Sequence, residues 1–275
     1  MSLRTYYVKK KFKLRLRCLG GIPVFEELEK VVVVEYKITA ETTLHIGSGE
    51  KDELRDIDLT LLKLPSGEFY IPGSSIKGAV RSATERWLGG LGFDLCIHHS
   101  QGVPDYECKE DQSCLSCYLF GSLNFASRTI FRDALLEHPR KIQYLKKVNV
   151  STNRETKTAV QRRLYSLELV PPGTTFRGEI IVENCEDWML GIIFTVLQKV
   201  LHSIGGQVSR GAGKIKIDIE RVTVYTPESF IDPTRNHPEI YEGSELEEYI
   251  KKCRDEFNRK MKDLKEKYKP SPQRK

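Results

Sequence analysis

The stretch VVVVEYKITAETTLHIGSG, residues 31–49, opens with four valines, continues with alternating apolar and polar residues and ends in a turn rich in glycine. Alternation of this kind is typical of a β-strand with one buried face, here the face of Val34, Tyr36, Ile38 and Ala40. Comparable patterns predict further strands at 11–17, 129–136, 176–182 and 214–224, and a long hairpin at 148–169. With helices predicted at 76–88 and 188–204, the chain is predicted to be an α+β protein with antiparallel strand pairing.

Two other segments combine glycine with positive charge: IPGSSIKGAVR at 71–81 and GGQVSRGAGK at 205–214. In the first, Ser74 or Ser75 is predicted to cap a helix whose free N–H groups favour an anion. In the second, glycines let the backbone approach a ligand closely, next to two basic side chains. Two such turns in one chain indicate that the protein binds a polyanion through the backbone of that polyanion. The alternative is that both turns are solvated loops.

The composition fits a soluble, nucleic-acid-binding protein. The 275 residues carry a net charge of only +6, but residues 1–17 hold seven basic residues and no acidic one, and residues 140–163 hold eight basic residues and one acidic one. Patches of this kind attract phosphate groups, and a solvated surface is the alternative. No apolar run reaches the ~20 residues that a bilayer requires. We therefore expect a cytoplasmic protein without contact to a membrane.

The cysteines indicate a metal site, because disulfides are rare in the cytosol. Four of the seven cysteines lie within a short polar insertion together with two histidines, and two of these cysteines form a CxxC pair. That spacing suits tetrahedral zinc, so we expect a structural zinc ion with four ligands drawn from this group. The candidates are Cys96, His98, His99, Cys108, Cys114 and Cys117. Incidental thiols in a flexible insertion are the alternative.

The C-terminal segment, residues 244–275, is predicted to form a helical tail. Ser244 and Glu247 have the spacing of a capping box, and apolar residues recur every three or four positions from Leu246 to Tyr268. An apolar stripe needs a partner surface, which is either the preceding domain, residues 1–230, or a neighbouring subunit.

Four segments together resemble the RAMP superfamily of CRISPR-associated proteins, and most of all the repeated backbone subunit of type III effector complexes. The segments are LHIGSG at 44–49, IPGSSIKGAVR at 71–81, IFRDALL at 130–136 and GGQVSRGAGK at 205–214. The resemblance implies an RRM-like, modified ferredoxin-like palm. It also implies a thumb hairpin inserted at 140–170, and the cysteine-rich insertion at 92–118 is expected to be the zinc-binding one.

The resemblance further implies a guide CRISPR RNA, a target RNA, copies or paralogues of the same subunit and other effector subunits as partners. Asp58 matches the aspartate that cleaves target RNA in this family, with Asp56 close by, and Mg²⁺ or Mn²⁺ is the expected ion for cleavage. Val148, Val150 and Val160 of the thumb are expected to wedge against a base. The expected RNA-binding residues are His45, Gly47, Ser74, Ser75, Lys77, Arg81, Arg154, Lys157, Arg162, Arg163, Arg210, Gly211, Gly213 and Lys214.

Three readings of the sequence remain open. The chain is a target-cleaving backbone subunit, a RAMP scaffold that binds guide RNA and its neighbours without cleaving, or a zinc-containing regulator that acts alone on DNA. Residues 1–30 precede the usual start of the family, and the helical tail exceeds that of the simplest members, so a specialised paralogue fits the sequence. His45 is expected either to contact the guide RNA or to be a buried, hydrogen-bonded histidine.

Overall fold

The computed structural model of the protein describes residues 27–52, 54, 57–98, 108–109, 112–138, 143–152, 159–232 and 235–270. Side chains are described in these ranges except at positions 98, 150–152 and 159–163. The strand predicted at 11–17 lies outside the described residues.

Strands and helices are mixed along the chain. The strands are β1 (Val31–Ala40), β2 (Tyr70–Ile71), β3 (Thr129–Phe131), β4 (Ala134–Leu136), β5 (Leu145–Thr152), β6 (Ala159–Leu169), β7 (Thr175–Glu183), β8 (Ile215–Tyr225) and β9 (Glu239–Tyr241). The helices are α1 (Gly73–Gly90), α2 (Leu115–Phe120), α3 (Asp187–Thr195), α4 (Pro227–Ile231) and α5 (Gly243–Lys267).

Seven of these strands form one antiparallel sheet in the order β2-β4-β7-β1-β8-β9, with β3 also paired to β7. β1 lies at its centre, where Val34 faces Ile180 on β7 and Val222 on β8. Every second residue of β1 from Val32 to Ala40 is buried, as the alternation predicts, and these side chains share one core with α1, α3 and α5. The α+β class and the modified ferredoxin-like palm are confirmed, and β5 and β6 form a separate hairpin at the predicted place.

The start of α1 differs from the prediction. The helix begins at Gly73, its N-cap residue is Pro72, and no side chain of its own caps it, so the serine cap is wrong. Asp133 takes that role, since its Oδ1 accepts a hydrogen bond of 2.8 Å from the amide of Gly73. A Cβ on Gly73 would lie 2.1 Å from the carbonyl oxygen of Phe131. The single strand predicted at 129–136 therefore divides into β3 and β4 at the point where the chain meets this helix.

The helix predicted at 188–204 ends earlier than expected. α3 continues as a π-helical turn from Val196 to Val200 and stops there. Thr195 donates a 2.7 Å hydrogen bond to the carbonyl of Gly191, a pattern that bends helices. Leu201 is extended, and residues 201–204 lie outside the helix and lead into the glycine loop at 205–214.

The C-terminal helix α5 packs against α3 of its own chain. A Cβ on Gly191 would lie 2.2 Å from the carbonyl oxygen of Cys253, so glycine allows the two helices to approach closely. The apolar stripe is buried as predicted, with only Met261 partly exposed. The capping box predicted at Ser244 is wrong, because the N-cap residue is Glu242 and makes no side-chain cap. Within the described residues, no helix is long and apolar enough to cross a bilayer.

Candidate nucleic-acid interface and metal centre

The segment LHIGSG and the loop at 205–214 lie against each other, although they are far apart in sequence. The amide of Gly206 donates to the carbonyl of His45 at 2.7 Å, and the amide of Gly213 donates to that of Thr43 at 2.7 Å. Gly205 has a φ of +85°, and a Cβ there would lie 2.3 Å from the carbonyl oxygen of His45. Glycine is therefore required at this contact by both conformation and space.

His45 is buried and hydrogen-bonded, in agreement with one of the two alternatives for it. Its Nδ1 lies 2.8 Å from the carbonyl oxygen of Glu168 and donates a hydrogen bond to it, because a carbonyl oxygen can only accept. The other edge of the ring lies beside two exposed glycines. A Cβ on Gly47 would be 3.1 Å from Nε2, and one on Gly206 would be 3.4 Å from Cδ2.

The basic residues of the glycine loop lie at the surface. Arg210 donates hydrogen bonds to the hydroxyl of Tyr165 on β6 and to Gln207. Lys214 pairs with Glu41 at 2.8 Å, while 65% of its side chain is exposed. Gly211 and Gly213 both have positive φ, but only Gly211 is exposed. A ligand approaching this loop therefore meets the backbone at Gly211, whereas Gly213 is needed inside the turn.

Asp58 is held against the base of the β5–β6 hairpin. Its amide donates to the carbonyl of Ser166 at 3.1 Å, and the amide of Ser166 donates to Asp58 Oδ2 at 2.9 Å. Lys51 Nζ lies 3.8 Å from Asp58 Oδ1. Ser166 faces Val148 across the hairpin, so Asp58 lies next to the two hairpin strands.

The environment of Asp58 favours its charged form. The Ser166 amide, followed by Lys51 and Lys146, lowers the pKa of the Asp58 carboxyl below its usual 3.8, and 40% of the side chain is exposed. The group is therefore an anion at neutral pH and can bind a cation or accept a hydrogen bond. Among the described residues, Asp58 belongs to no group of three or more possible metal ligands. Asp56 lies outside them.

Glu168 was missed by sequence reasoning and connects three segments. Its Oε1 accepts from Lys63 Nζ at 2.6 Å, its Oε2 accepts from the amide of Leu61 at 3.3 Å, and its carbonyl holds His45. Only 5% of its side chain is exposed. The sequence feature that could have indicated a role for Glu168 is its position between two leucines in a predicted strand.

The described part of the hairpin presents apolar side chains on the face of Ser166. Val148 is 56% exposed, and Leu164, which sequence reasoning did not select, is 65% exposed. Val148 was one of the predicted wedge residues. The hairpin tip with Arg154 and Lys157, and the side chains of Val150, Val160, Arg162 and Arg163, lie outside the described residues.

The two basic residues of α1 nearest its start, Lys77 and Arg81, are both partly buried and differ in their contacts. Ser74 is exposed and Ser75 and Lys77 are partly so, and partial burial lowers the pKa of Lys77, with Arg81 adding to the effect. Arg81 instead contacts the protein interior. Its guanidinium donates to Glu85 at 2.9 Å, to the carbonyl of Gly121 at 3.1 Å and to Cys117 Sγ at 3.4 Å.

Four buried cysteines bring their sulfur atoms together within 4.8 Å of one another: Cys96, Cys108, Cys114 and Cys117. The Sγ of Cys96 lies 3.5 Å from that of Cys117 and 3.7 Å from that of Cys114. Tetrahedral zinc with four thiolates places its sulfurs ~3.8 Å apart, given Zn–S bonds of ~2.3 Å. The cluster therefore has the composition and spacing of a closed metal site, as the insertion predicted.

Backbone amides also support the cluster. The amide of Cys117 donates to Cys114 Sγ, and the amide of Cys114 donates to Cys108 Sγ, each at 3.5 Å. Contacts with the thiols of Cys108, Cys117 and Cys96, together with the amide of Cys117, lower the pKa of the Cys114 thiol, which favours the thiolate that binds metal. The side chain of His98, and His99, lie outside the described residues, while the four cysteines supply four ligands by themselves.

Comparisons with known proteins agree with this picture. A protein named CRISPR system Cms endoribonuclease Csm3 from Methanocaldococcus jannaschii is 29% identical over 245 residues, which cover 82% of this chain and 95% of that protein. A protein of the same name from Methanothermobacter thermautotrophicus is 30% identical over 217 residues, covering 68% and 84%. A third, from Enterococcus italicus, is 28% identical over 204 residues, covering 68% and 89%.

A solved structure shares the fold. A chain from the cryo-EM structure of the type III-B Cmr-beta apo state has a TM-score of 0.50 at 16% identity, and the match covers 68% of this chain and 96% of that one. The sequence pattern of the RAMP superfamily matches residues 37–216, which include all four segments that carried the predicted resemblance. That resemblance is confirmed, and this chain belongs to the RAMP superfamily.

Proposed function

We propose that this protein is a guide-RNA-binding backbone subunit of a type III CRISPR interference complex, and that it cleaves target RNA at Asp58. The single observation that carries the proposal is the position of Asp58, an ionised carboxylate fixed at the base of a hairpin whose apolar side chains are exposed. The names of the relatives, which are endoribonucleases of a CRISPR system, support the same conclusion.

RNA binding in this proposal is mainly contact with phosphates. Arg210 and Lys214 on the glycine loop, Lys77 on α1 and Lys146 on β5 are at least partly exposed and provide the positive charge. Phosphate contacts position a nucleic acid without reading its sequence, so base pairing between guide and target supplies the specificity. The exposed Val148 and Leu164 are suited to hold target bases apart next to Asp58.

The cleavage chemistry needs few protein groups. A 2′-hydroxyl attacks the adjacent phosphorus, the 2′-O–P bond forms as the P–O5′ bond breaks, and the products carry a 2′,3′-cyclic phosphate and a 5′-hydroxyl. The hydroxyl proton passes to water, and the leaving O5′ takes a proton from water. Asp58, with its low pKa, orients the hydroxyl or binds a cation better than it would act as a base. A divalent ion such as Mg²⁺ or Mn²⁺ would neutralise charge on the phosphate.

Replacement of Asp58 in the assembled complex tests this proposal. We expect Asp58→Asn to remove at least one target cleavage while guide and target RNA remain bound, and Asp52→Asn in the same loop to leave the fragments unchanged. Fragments from Asp58→Asn that match the wild type would contradict the cleavage role. A complex that still assembles on guide RNA in that case would identify the chain as a non-catalytic RAMP scaffold. This second candidate is favoured because Asp58 belongs to no group of three or more possible metal ligands among the described residues.

We also propose that the four cysteines hold a structural zinc ion, since four thiolates fill the four positions of tetrahedral zinc and leave none open for a substrate. Elemental analysis of the purified protein is expected to find about one zinc per chain. Less than half an equivalent, together with unchanged folding of Cys114→Ser, would contradict a structural metal.

A further inference from the structure

Arg81 was expected to bind RNA, but the structure directs its side chain to the cysteine cluster. We infer that Arg81 is a positioning residue of the metal centre, which neutralises thiolate charge and fixes the cluster to α1. The inference rests on the proposed zinc site.

The contacts of Arg81 join two elements. From α1 its guanidinium reaches Cys117 Sγ at 3.4 Å and the carbonyl of Gly121, the C-cap residue of α2, at 3.1 Å. One turn further along α1, Glu85 accepts from Arg81 at 2.9 Å and from the hydroxyl of Ser116 at 2.8 Å. Two neighbouring residues of α2 are thus held by an ion pair of α1.

Charge explains why an arginine suits this position. Zn²⁺ with four thiolates carries a net charge of 2−, and all four cysteines are buried. A buried charge requires a partner, and a hydrogen bond to a ligating sulfur stabilises its anionic form. Only 32% of the Arg81 side chain is exposed, so most of the side chain is covered by the protein.

The shape of the guanidinium matters as much as its charge. Its planar fork donates to Cys117, Gly121 and Glu85 from separate N–H groups, which the single ammonium of lysine cannot reproduce. Arg81 therefore fixes the direction of α2 relative to α1. Lys77, which we assign to RNA, lies one turn earlier on α1, so the metal centre supports the helix that presents it.

Zinc release from the full-length protein tests the inference. The variants are Arg81→Gln, Arg81→Lys and, as a control, Arg86→Gln, which changes an exposed arginine on the same helix. Transfer of zinc to the chromogenic chelator 4-(2-pyridylazo)resorcinol is measured for each. We expect Arg81→Gln to release zinc about 10- to 100-fold faster than the wild type, Arg81→Lys to lie in between, and Arg86→Gln to match the wild type.

Cobalt(II) in place of zinc gives a second readout, which general destabilisation would not move. We expect the sulfur-to-cobalt charge-transfer band to shift in Arg81→Gln and to stay in place in Arg86→Gln. The inference is overturned if Arg81→Gln releases zinc at the wild-type rate and its cobalt band is not shifted. If Arg81→Gln does not fold, a wild-type release rate with an unshifted band in Arg81→Lys overturns the inference instead. Wild-type protein that binds neither zinc nor cobalt overturns instead the zinc proposal on which the inference rests.

Discussion

Gly205→Ala is expected to destabilise the protein more than Gly211→Ala, although both glycines have nearly the same backbone conformation. Their φ angles are +85° and +88°. At position 205 a Cβ would lie 2.3 Å from the carbonyl oxygen of His45, whereas at position 211 nothing lies within 4 Å. The pair therefore separates the cost of the conformation from the cost of the collision.

The magnitude follows from these two terms. A non-glycine residue in the left-handed region costs roughly 1–2 kcal/mol, which is the whole expected effect of Gly211→Ala. Forcing extra atoms into a packed contact adds about 1–3 kcal/mol, so Gly205→Ala is expected to cost about 2–5 kcal/mol. A difference of ~2 kcal/mol between the variants corresponds to a factor of ~30 in the unfolding equilibrium.

Urea unfolding followed by circular dichroism provides the assay, and the midpoints are compared at equal slopes. Equal midpoints for the two variants would refute the close contact between His45 and the loop at 205–214. They would also refute the packing of this loop against the segment LHIGSG at 44–49. Because Gly211→Ala is expected to remain folded, its affinity for guide RNA also reports whether the ligand approaches the backbone there.

Three other substitutions test separate contacts. Glu168→Ala leaves Lys63 and the amide of Leu61 without their acceptor. It is therefore expected to lower the free energy of unfolding by about 2–4 kcal/mol in urea titrations. A change below about 1 kcal/mol would contradict the connecting role of Glu168. Asp133→Ala removes the acceptor at the start of α1 and is expected to cost about 0.5–2 kcal/mol by the same assay, with a neutral result counting against the cap. The pKa of Asp58 is lowered in the folded protein, so its contribution is present above the ordinary pKa of 3.8 and is lost as pH falls through the lower folded value. Melting temperatures of the wild type and Asp58→Asn are therefore expected to converge as the solution becomes more acidic than pH 4, and a constant difference would show that Ser166 does not stabilise the anion.

The alternation of apolar residues made the sheet predictable. Val34, Tyr36, Ile38 and Ala40 are buried on one face because the period of a strand is two, whatever its neighbours are. The apolar stripe of α5 was predictable for the same kind of reason, although its partner α3 was not. The predicted start of α1 was wrong because its capping side chain comes from a distant part of the chain. Asp133 lies 60 residues from Gly73 in sequence.

The candidate site was predictable where a single segment carries it. The CxxC pair and its neighbouring cysteines lie close in sequence, so their meeting could be expected from spacing. The role of Arg81 could not be predicted, because the sequence pattern of a helix does not distinguish an arginine that is exposed from one that turns inward. Glu168 was missed because its partners come from residues 45–63, more than 100 positions earlier.

The ring of Tyr118 on α2 lies 4.6 Å from that of Tyr268, just beyond the last turn of α5, and both pack near Trp188 of α3. The short helix that carries Cys117, with Cys114 as its N-cap residue, thus rests on the end of α5. Removal of the ion would loosen this aromatic stack and the last turn of α5 beside it. Proteolysis within the last turn of α5 would then act as a simple gauge of metal occupancy, read at a site remote from the sulfur ligands in sequence.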